Sequence, residues 1–374
     1  MQTTALGFLM FQLTHSAVYL GATGFITGIA AWLFTLYAGT VADRFDRRKI
    51  LLGTQIAAML IAAILAYLTL SHLVKPWHIL TFAFLLGTVN AFDGPARHSF
   101  VSELVMPENL TNAIALNSMM FNTGIALGPS ISGILYAELG PGWCFGINAA
   151  SYLAVIASLL MIRTSATRKS RHVEGGPIKA IVEGVRFAYR SKVVAPILMM
   201  VAVTSVFGMS IFSLMPAWTV NVLHGSARTN GLMMSARGIG ALIGAFFAAS
   251  LSRGTKRGPI IRIASLVFPV TLLAFAFSRG TFLPVFVLVT TGCALIIVNN
   301  LANSTVQSNV PPELRGRVMS VYMLCFLGMM PIGSLLGGFC AQAIGEQTTL
   351  VIFSVSAFVL MLALATRGKG LRDV

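Results

Sequence analysis

The sequence predicts an all-α integral membrane protein made of two related six-helix halves, and three observations carry that reading. Hydrophobic residues make up 56% of the 374 and charged residues only 10%, with a mean hydropathy of +0.83. That leaves too little polar side chain to coat a water-soluble globule of this length. Apolar runs of about 20 residues, the length a helix needs to cross about 30 Å of hydrocarbon, recur along the whole chain. Finally, two blocks return. "PENLTNAIALNSMMFNTGIALGPSISG" from Pro107 and "PELRGRVMSVYMLCFLGMMPIGSLLGG" from Pro312 pair Pro107 with Pro312, Glu108 with Glu313, Gly128 with Gly333 and Gly133 with Gly338 at an offset of 205. Asp43-Arg44-x-x-Arg47-Arg48 returns as Ser252-Arg253-x-x-Lys256-Arg257 at an offset of 209. Turn residues at corresponding places argue for a true internal repeat.

The first apolar segment, "QTTALGFLMFQLT" over 2–14, has 13 residues. At 1.5 Å per residue it reaches about 20 Å and cannot bridge a bilayer. It has no charged face to lie on the interface, and neither the basic start nor the cleavage site of a signal peptide. It is expected to be the closing part of a first span that is N-terminally incomplete in this chain. Eleven complete spans follow, at 17–42, 50–72, 77–97, 110–138, 142–163, 194–218, 227–252, 259–278, 282–308, 316–343 and 347–366. The expected organisation is an N-terminal bundle over 1–163, a linker over 164–193 and a C-terminal bundle over 194–374. Within the linker, Ile178, Ile181, Val182, Val185 and Phe187 lie on a helical period opposite Lys179, Glu183, Arg186 and Arg190. This predicts an amphipathic helix on the membrane surface.

The net charge of +15 follows topology rather than a nucleic-acid site. Of 26 Lys and Arg, 22 fall in alternate connections and at the C-terminus, while Lys75, Arg228 and Arg279 lie in the opposite set and Arg237 within a span. Such asymmetry places the basic set in the cytoplasm. A multi-pass protein of the bacterial plasma (inner) membrane is expected, with both termini of the complete chain cytoplasmic. Cys144, Cys293, Cys325 and Cys340 all fall in spans without paired spacing, and no HExxH or GxxxxGK[ST] occurs. No catalytic constellation, metal site, nucleotide site or cofactor is expected.

Gly39-x-x-x-Asp43-Arg44-x-x-Arg47-Arg48, between the second and third spans, matches the signature loop of the major facilitator superfamily. The stretches 90–104 and 112–133 resemble its branch of bacterial exporters, the one that includes the enterobactin exporter. In the second half Ser252 stands where the repeated loop of that family carries an acid. The resemblance implies a major facilitator fold and a conformational switch at Gly39, Asp43, Arg44, Arg47 and Arg48. Gly39 would allow close helix approach, the arginines would anchor the loop at an anionic leaflet, and Asp43 would sit near the N-terminus of the third span. The fifth span carries Gly124-x-x-x-Gly128-Pro129-x-x-x-Gly133, a groove of small residues with a proline bend, similar to the antiporter motif of that superfamily.

Polar groups within spans are costly and therefore informative. Asn90, Arg237, Asn299 and Asn303 are candidates for lining a pathway, though amides also serve as interhelical glue. Asp93 and Arg97 are spaced i,i+4 and can meet. Together they would form either a proton-coupling pair or a fixed gate beside a Gly94-Pro95 break. The resulting expectation is a secondary transporter exporting a small amphipathic molecule, drug-like or siderophore, by alternating access in antiport with protons. The lipid bilayer and a small-molecule substrate are the expected partners, with no obligate protein partner. A lipid or lysolipid facilitator and a non-transporting receptor or scaffold are the alternatives.

Overall fold

A computed structural model describes residues 1–162, 177–251 and 256–367, all of it helix and turn with no strand among them. The helices are α1 (Gln2–Thr14), α2 (Ala17–Arg44), α3 (Arg47–Leu70) and α4 (Pro76–Leu104). Leu110–Met161 is continuous in hydrogen bonding but has Gly140 at φ 84°, ψ 169°, which splits it into α5 (110–139) and α6 (141–161). The two arms fold back on each other, because Cys144 Sγ lies 3.7 Å from the Ser132 carbonyl. After the linker helix α7 (Pro177–Arg190) come α8 (Val194–Asn221), α9 (Ala227–Ser250), α10 (Arg257–Phe277) and α11 (Phe282–Ser308). The last two are α12 (312–344) and α13 (Glu346–Arg367). Ten described helices are long and apolar enough to cross a membrane, and division at Gly140 makes eleven. α1 is the short twelfth, and it is no surface helix: Leu6, Phe8, Leu9, Met10 and Phe11 are all buried.

The two halves, α1–α6 and α8–α13, carry the repeat in their backbones. Six described residues have positive φ: His15, His72, Gly140, His224, Gly280 and Gly345. Each lies in a hairpin turn on one face of the bundle, termed here the short-turn face. They pair as His15 with His224, His72 with Gly280 and Gly140 with Gly345, at offsets of 209, 208 and 205. A left-handed residue lets a helix end and the next begin within a few residues. The histidines tolerate that region better than most side chains do.

Two boundaries differ from expectation. α2 runs to Arg44, so Asp43 lies in its last turn instead of at the start of α3. The cap of α3 is Asp46, whose Oδ1 accepts from the Arg48 N–H at 2.9 Å. An acid directly before the first helical residue is the commoner cap position, and it outcompetes one three residues further out. α4 continues through Gly94-Pro95 to Leu104 without a break. The tract 163–176, the repeated loop at 252–255 and the residues beyond 367 lie outside the described residues.

Candidate functional site

The geometry is graded from the short-turn face to the opposite, basic face. Near the short turns the halves interlock through glycine. A Cβ on Gly133 of α5 would meet the Ala227 carbonyl oxygen of α9 at 2.6 Å and the Gly231 Cα at 3.0 Å. One on Gly338 of α12 would meet the Ala17 carbonyl oxygen of α2 at 2.8 Å and the Gly21 Cα at 2.9 Å. Only backbones without side chains pack this closely. Towards the middle, Gly28 faces Pro331 and Gly238 faces Ala126. Pro129 leaves α5 helical, yet the Ser130 N–H is turned outward and donates to Ser235 Oγ of α9 at 2.8 Å. Gln342 Oε1 adds a second tie between the halves, accepting from Ser16 Oγ at 2.8 Å and the Ala17 N–H at 3.1 Å.

Towards the basic face the same helices lose their partners. Gly328 of α12 still faces Trp32 of α2. Beyond that contact, Tyr37 of α2 and Met323 of α12 are 64% and 51% exposed. The halves therefore form a wedge, touching at the short turns and parting at the basic face.

Of the expected switch loop, Gly39, Asp43 and Arg44 lie in the last turns of α2 and their side chains are outside the described residues. Arg47 and Arg48 are both engaged within the first half. Arg47 Nη1 pairs with Glu103 of α4 at 2.5 Å. Arg48 donates from Nε to the Leu159 carbonyl and from Nη2 to the Leu160 carbonyl, each at 2.7 Å. A cation bound to the last carbonyls of α6 also meets the negative end of that helix dipole.

The structure joins Asp93 and Arg97, with Nη2–Oδ2 at 2.7 Å and Nε–Oδ2 at 2.9 Å. Asp93 Oδ1 further accepts from Thr54 Oγ1 at 3.0 Å and Gln55 Nε2 at 2.8 Å. Four donors thus converge on one carboxylate and tie α4 to α3. Asn90 is exposed one turn away on α4.

On α11, Asn299 and Asn303 part company. Asn299 is buried, its Nδ2 bonded to the Leu295 carbonyl and its own carbonyl accepting from Tyr322 Oη of α12. Asn303 instead lines an open recess of about 420 Å³ with Asn300, Ser304, Gln307, Ser308 and Arg315. Arg237 lies apart from both. Its guanidinium carbon stands 4.4 Å from the Phe212 ring centroid, a cation–π distance, and its Nε is buried without a hydrogen-bond partner among the described residues.

Several partners here were not singled out in the sequence. Asp46 carries a legible signal, an acid directly before a helix start. Glu103, Thr54, Gln55 and Ser235 have none, because their roles arise from contacts between helices distant in sequence.

The profile of the transmembrane secretion effector family matches residues 1–369. Similar curated proteins include the staphyloferrin A transporter of Staphylococcus aureus, 26% identical over 95% of this chain and 89% of that protein. The multidrug efflux pump Tap of Mycolicibacterium fortuitum is 26% identical, over 95% and 88%. The enterobactin exporter EntS of Citrobacter koseri is also 26% identical, over 94% and 83%. Among solved structures, the nucleoside transporter NupG matches with a TM-score of 0.77 at 17% identity, covering 98% of this chain and 94% of that one. A bacterial Spinster homologue in an inward-facing, unoccupied conformation matches at 0.71 and 15% identity, over 100% and 95%. With its repeat-related halves and membrane-spanning helices, the chain belongs to the transmembrane secretion effector family of the major facilitator superfamily.

Proposed function

We propose that this chain is a secondary active exporter of small amphipathic molecules in the bacterial plasma membrane, working by alternating access in antiport with protons. The basic face is cytoplasmic by the positive-inside rule, so the wedge opens to the cytoplasm. The observation that carries the reading is the grading between α2 and α12, from Gly21 jammed against Gly338 to Tyr37 and Met323 exposed beyond the Gly328–Trp32 contact. A pathway closed at one face and open at the other is one of the two states that alternating access requires. The relatives named above as exporters and an efflux pump support small-molecule export. Residues 1–163 and 194–374 would rock as the two bodies, with 164–193 as the linker. The loop at Gly39, Asp43, Arg44, Arg47 and Arg48 would fasten the basic face in the alternate state, and the Gly128-Pro129 region would hinge the short-turn face.

Asn90, Asn303 and Arg237 would line the pathway, and Asn299 would brace α11 against α12. The four-donor shell of Asp93 favours a fixed gate over a proton carrier at that residue. Inverted vesicles test the function. Cargo found by comparing metabolites of a deletion strain and its parent should accumulate inside them when a proton gradient is imposed. Accumulation that survives collapse of the gradient would overturn antiport, and absence of accumulation at any gradient would overturn export.

A further inference from the structure

The recess at the basic end of α11 carries a chemistry that apolar cargo does not need. Asn300, Asn303, Ser304, Gln307 and Ser308 follow the i, i+3, i+4, i+7, i+8 spacing of one helix face. With Arg315 from the first turns of α12 they line an open recess of about 420 Å³. The wall is partly built. Gln307 Nε2 donates to Asn303 Oδ1. From α10, Arg257 Nη1 donates to Ser304 Oγ at 2.5 Å. Arg315 makes no hydrogen bond or ion pair among the described residues, and none of the residues lining the recess is acidic.

We propose that this recess is a binding site for a small solute that presents an oxyanion together with neutral hydrogen-bonding groups. Arg315 supplies the anchor, since its guanidinium fork matches the two oxygens of a carboxylate or phosphate. Asn300, Asn303 and Gln307 each offer both a donor and an acceptor, which suits hydroxyl or amide groups beside the anion. An apolar molecule would strip water from these amides without replacing its hydrogen bonds, at a cost in affinity. The same oxyanion chemistry is available from a soluble carboxylate and from the phosphate of an anionic lipid, and the recess commits to the chemistry rather than the source. The assignment goes beyond the transport reading and is independent of coupling ion and direction.

Equilibrium binding of radiolabelled gluconate and glucitol to the full chain in phosphatidylcholine nanodiscs provides the test. The two probes share a hydroxylated chain and differ in the carboxylate. Gluconate should bind saturably and Arg315→Gln should weaken it about tenfold, the scale of a lost charge-assisted hydrogen bond. Arg315→Lys should fall between, because it keeps the charge but not the fork. Glucitol should bind weakly and equally to all three. If the occupant is lipid, gluconate will not bind, and native mass spectrometry will find phosphatidylglycerol retained by the wild type and lost by Arg315→Gln. Equal gluconate binding and equal lipid retention in the wild type and Arg315→Gln would overturn the site. These readouts involve no gradient and no efflux, so they stand or fall separately from the exporter assignment.

Discussion

A Cβ built on Gly231 of α9 would stand 2.5 Å from the Pro129 carbonyl oxygen and 2.9 Å from the Gly133 Cα of α5. Built on Gly21 of α2, it would stand 2.5 Å from the Ser334 carbonyl oxygen and 2.9 Å from the Gly338 Cα of α12. The two crossings are equivalent under the internal repeat, which sends Gly21 to Gly231 and Gly133 to Gly338. The short-turn face is thus closed by one contact used twice.

Adding a methyl group to either crossing forces backbones apart, and overpacking of this kind costs about 1–3 kcal/mol. The cost falls only on the state in which the crossing is closed, so populations shift by about tenfold for each 1.4 kcal/mol. In a cysteine-free background, a cysteine replacing buried Ala126 should react slowly with a membrane-impermeant maleimide applied from the short-turn side. Gly231→Ala and Gly21→Ala should each speed that reaction about tenfold or more. Unchanged reactivity in both would mean that these crossings do not gate the face.

Arg48 offers a simpler test of local structure. Its two bonds to the Leu159 and Leu160 carbonyls close the end of α6, and loss of a partly exposed pair of this kind costs about 1–2 kcal/mol. Arg48→Ala should lower the thermal midpoint of detergent-solubilised protein. Arg48→Lys should recover less than half of the loss, because one ammonium cannot reproduce the fork. Full recovery by Lys would assign the effect to charge alone.

What could be read from the sequence was what the membrane imposes on a single segment. Span length, the basic asymmetry and the offset between repeats are constraints on composition and spacing, so the twelve helices follow from them, while the family resemblance rests on the motif loop from Gly39 to Arg48 and on the stretches 90–104 and 112–133. The Asp93–Arg97 pair was legible because its two members share one helix face. Its remaining donors, Thr54 and Gln55 on α3, were not, since side-chain pairing across helices leaves no periodic trace. The same limit applies to Asn299 and Asn303. One helical turn apart, they differ in fate because Tyr322 of α12 packs over the first and the recess opens beside the second.

Asp93 itself separates a gate from a proton carrier. Asparagine can replace one oxygen acceptor but must turn its NH₂ towards either Arg97 or the Thr54 and Gln55 donors, which leaves unmatched donors. Asp93→Asn should therefore lower thermal stability by about 1–3 kcal/mol while retaining gradient-driven efflux. Loss of gradient-driven efflux with substrate exchange preserved would instead make Asp93 the coupling residue.

The final prediction concerns the linker helix. A Cβ on Gly184 of α7 would meet the Arg317 carbonyl oxygen of α12 at 2.5 Å. The Arg317 side chain pairs with Glu183, and Ala188 one turn on is only 4% exposed. α7 is therefore seated on the basic end of α12, the helix whose other end makes the Gly21–Gly338 crossing. A larger residue at 184 cannot be absorbed, because what it meets is backbone and not the tip of a flexible side chain. Gly184→Leu should unseat the helix. A cysteine replacing Ala188 should then become reactive, and trypsin should cut faster at Arg190 and Lys192. Glu183→Gln should change neither rate by much, since the ion pair is partly exposed and such pairs contribute about 0.2–1 kcal/mol. If α7 transmits motion to α12, Gly184→Leu will slow efflux at saturating cargo while leaving gluconate binding at the Arg315 recess intact. Unchanged Ala188→Cys reactivity in Gly184→Leu would show that the close approach is not what holds α7 in place.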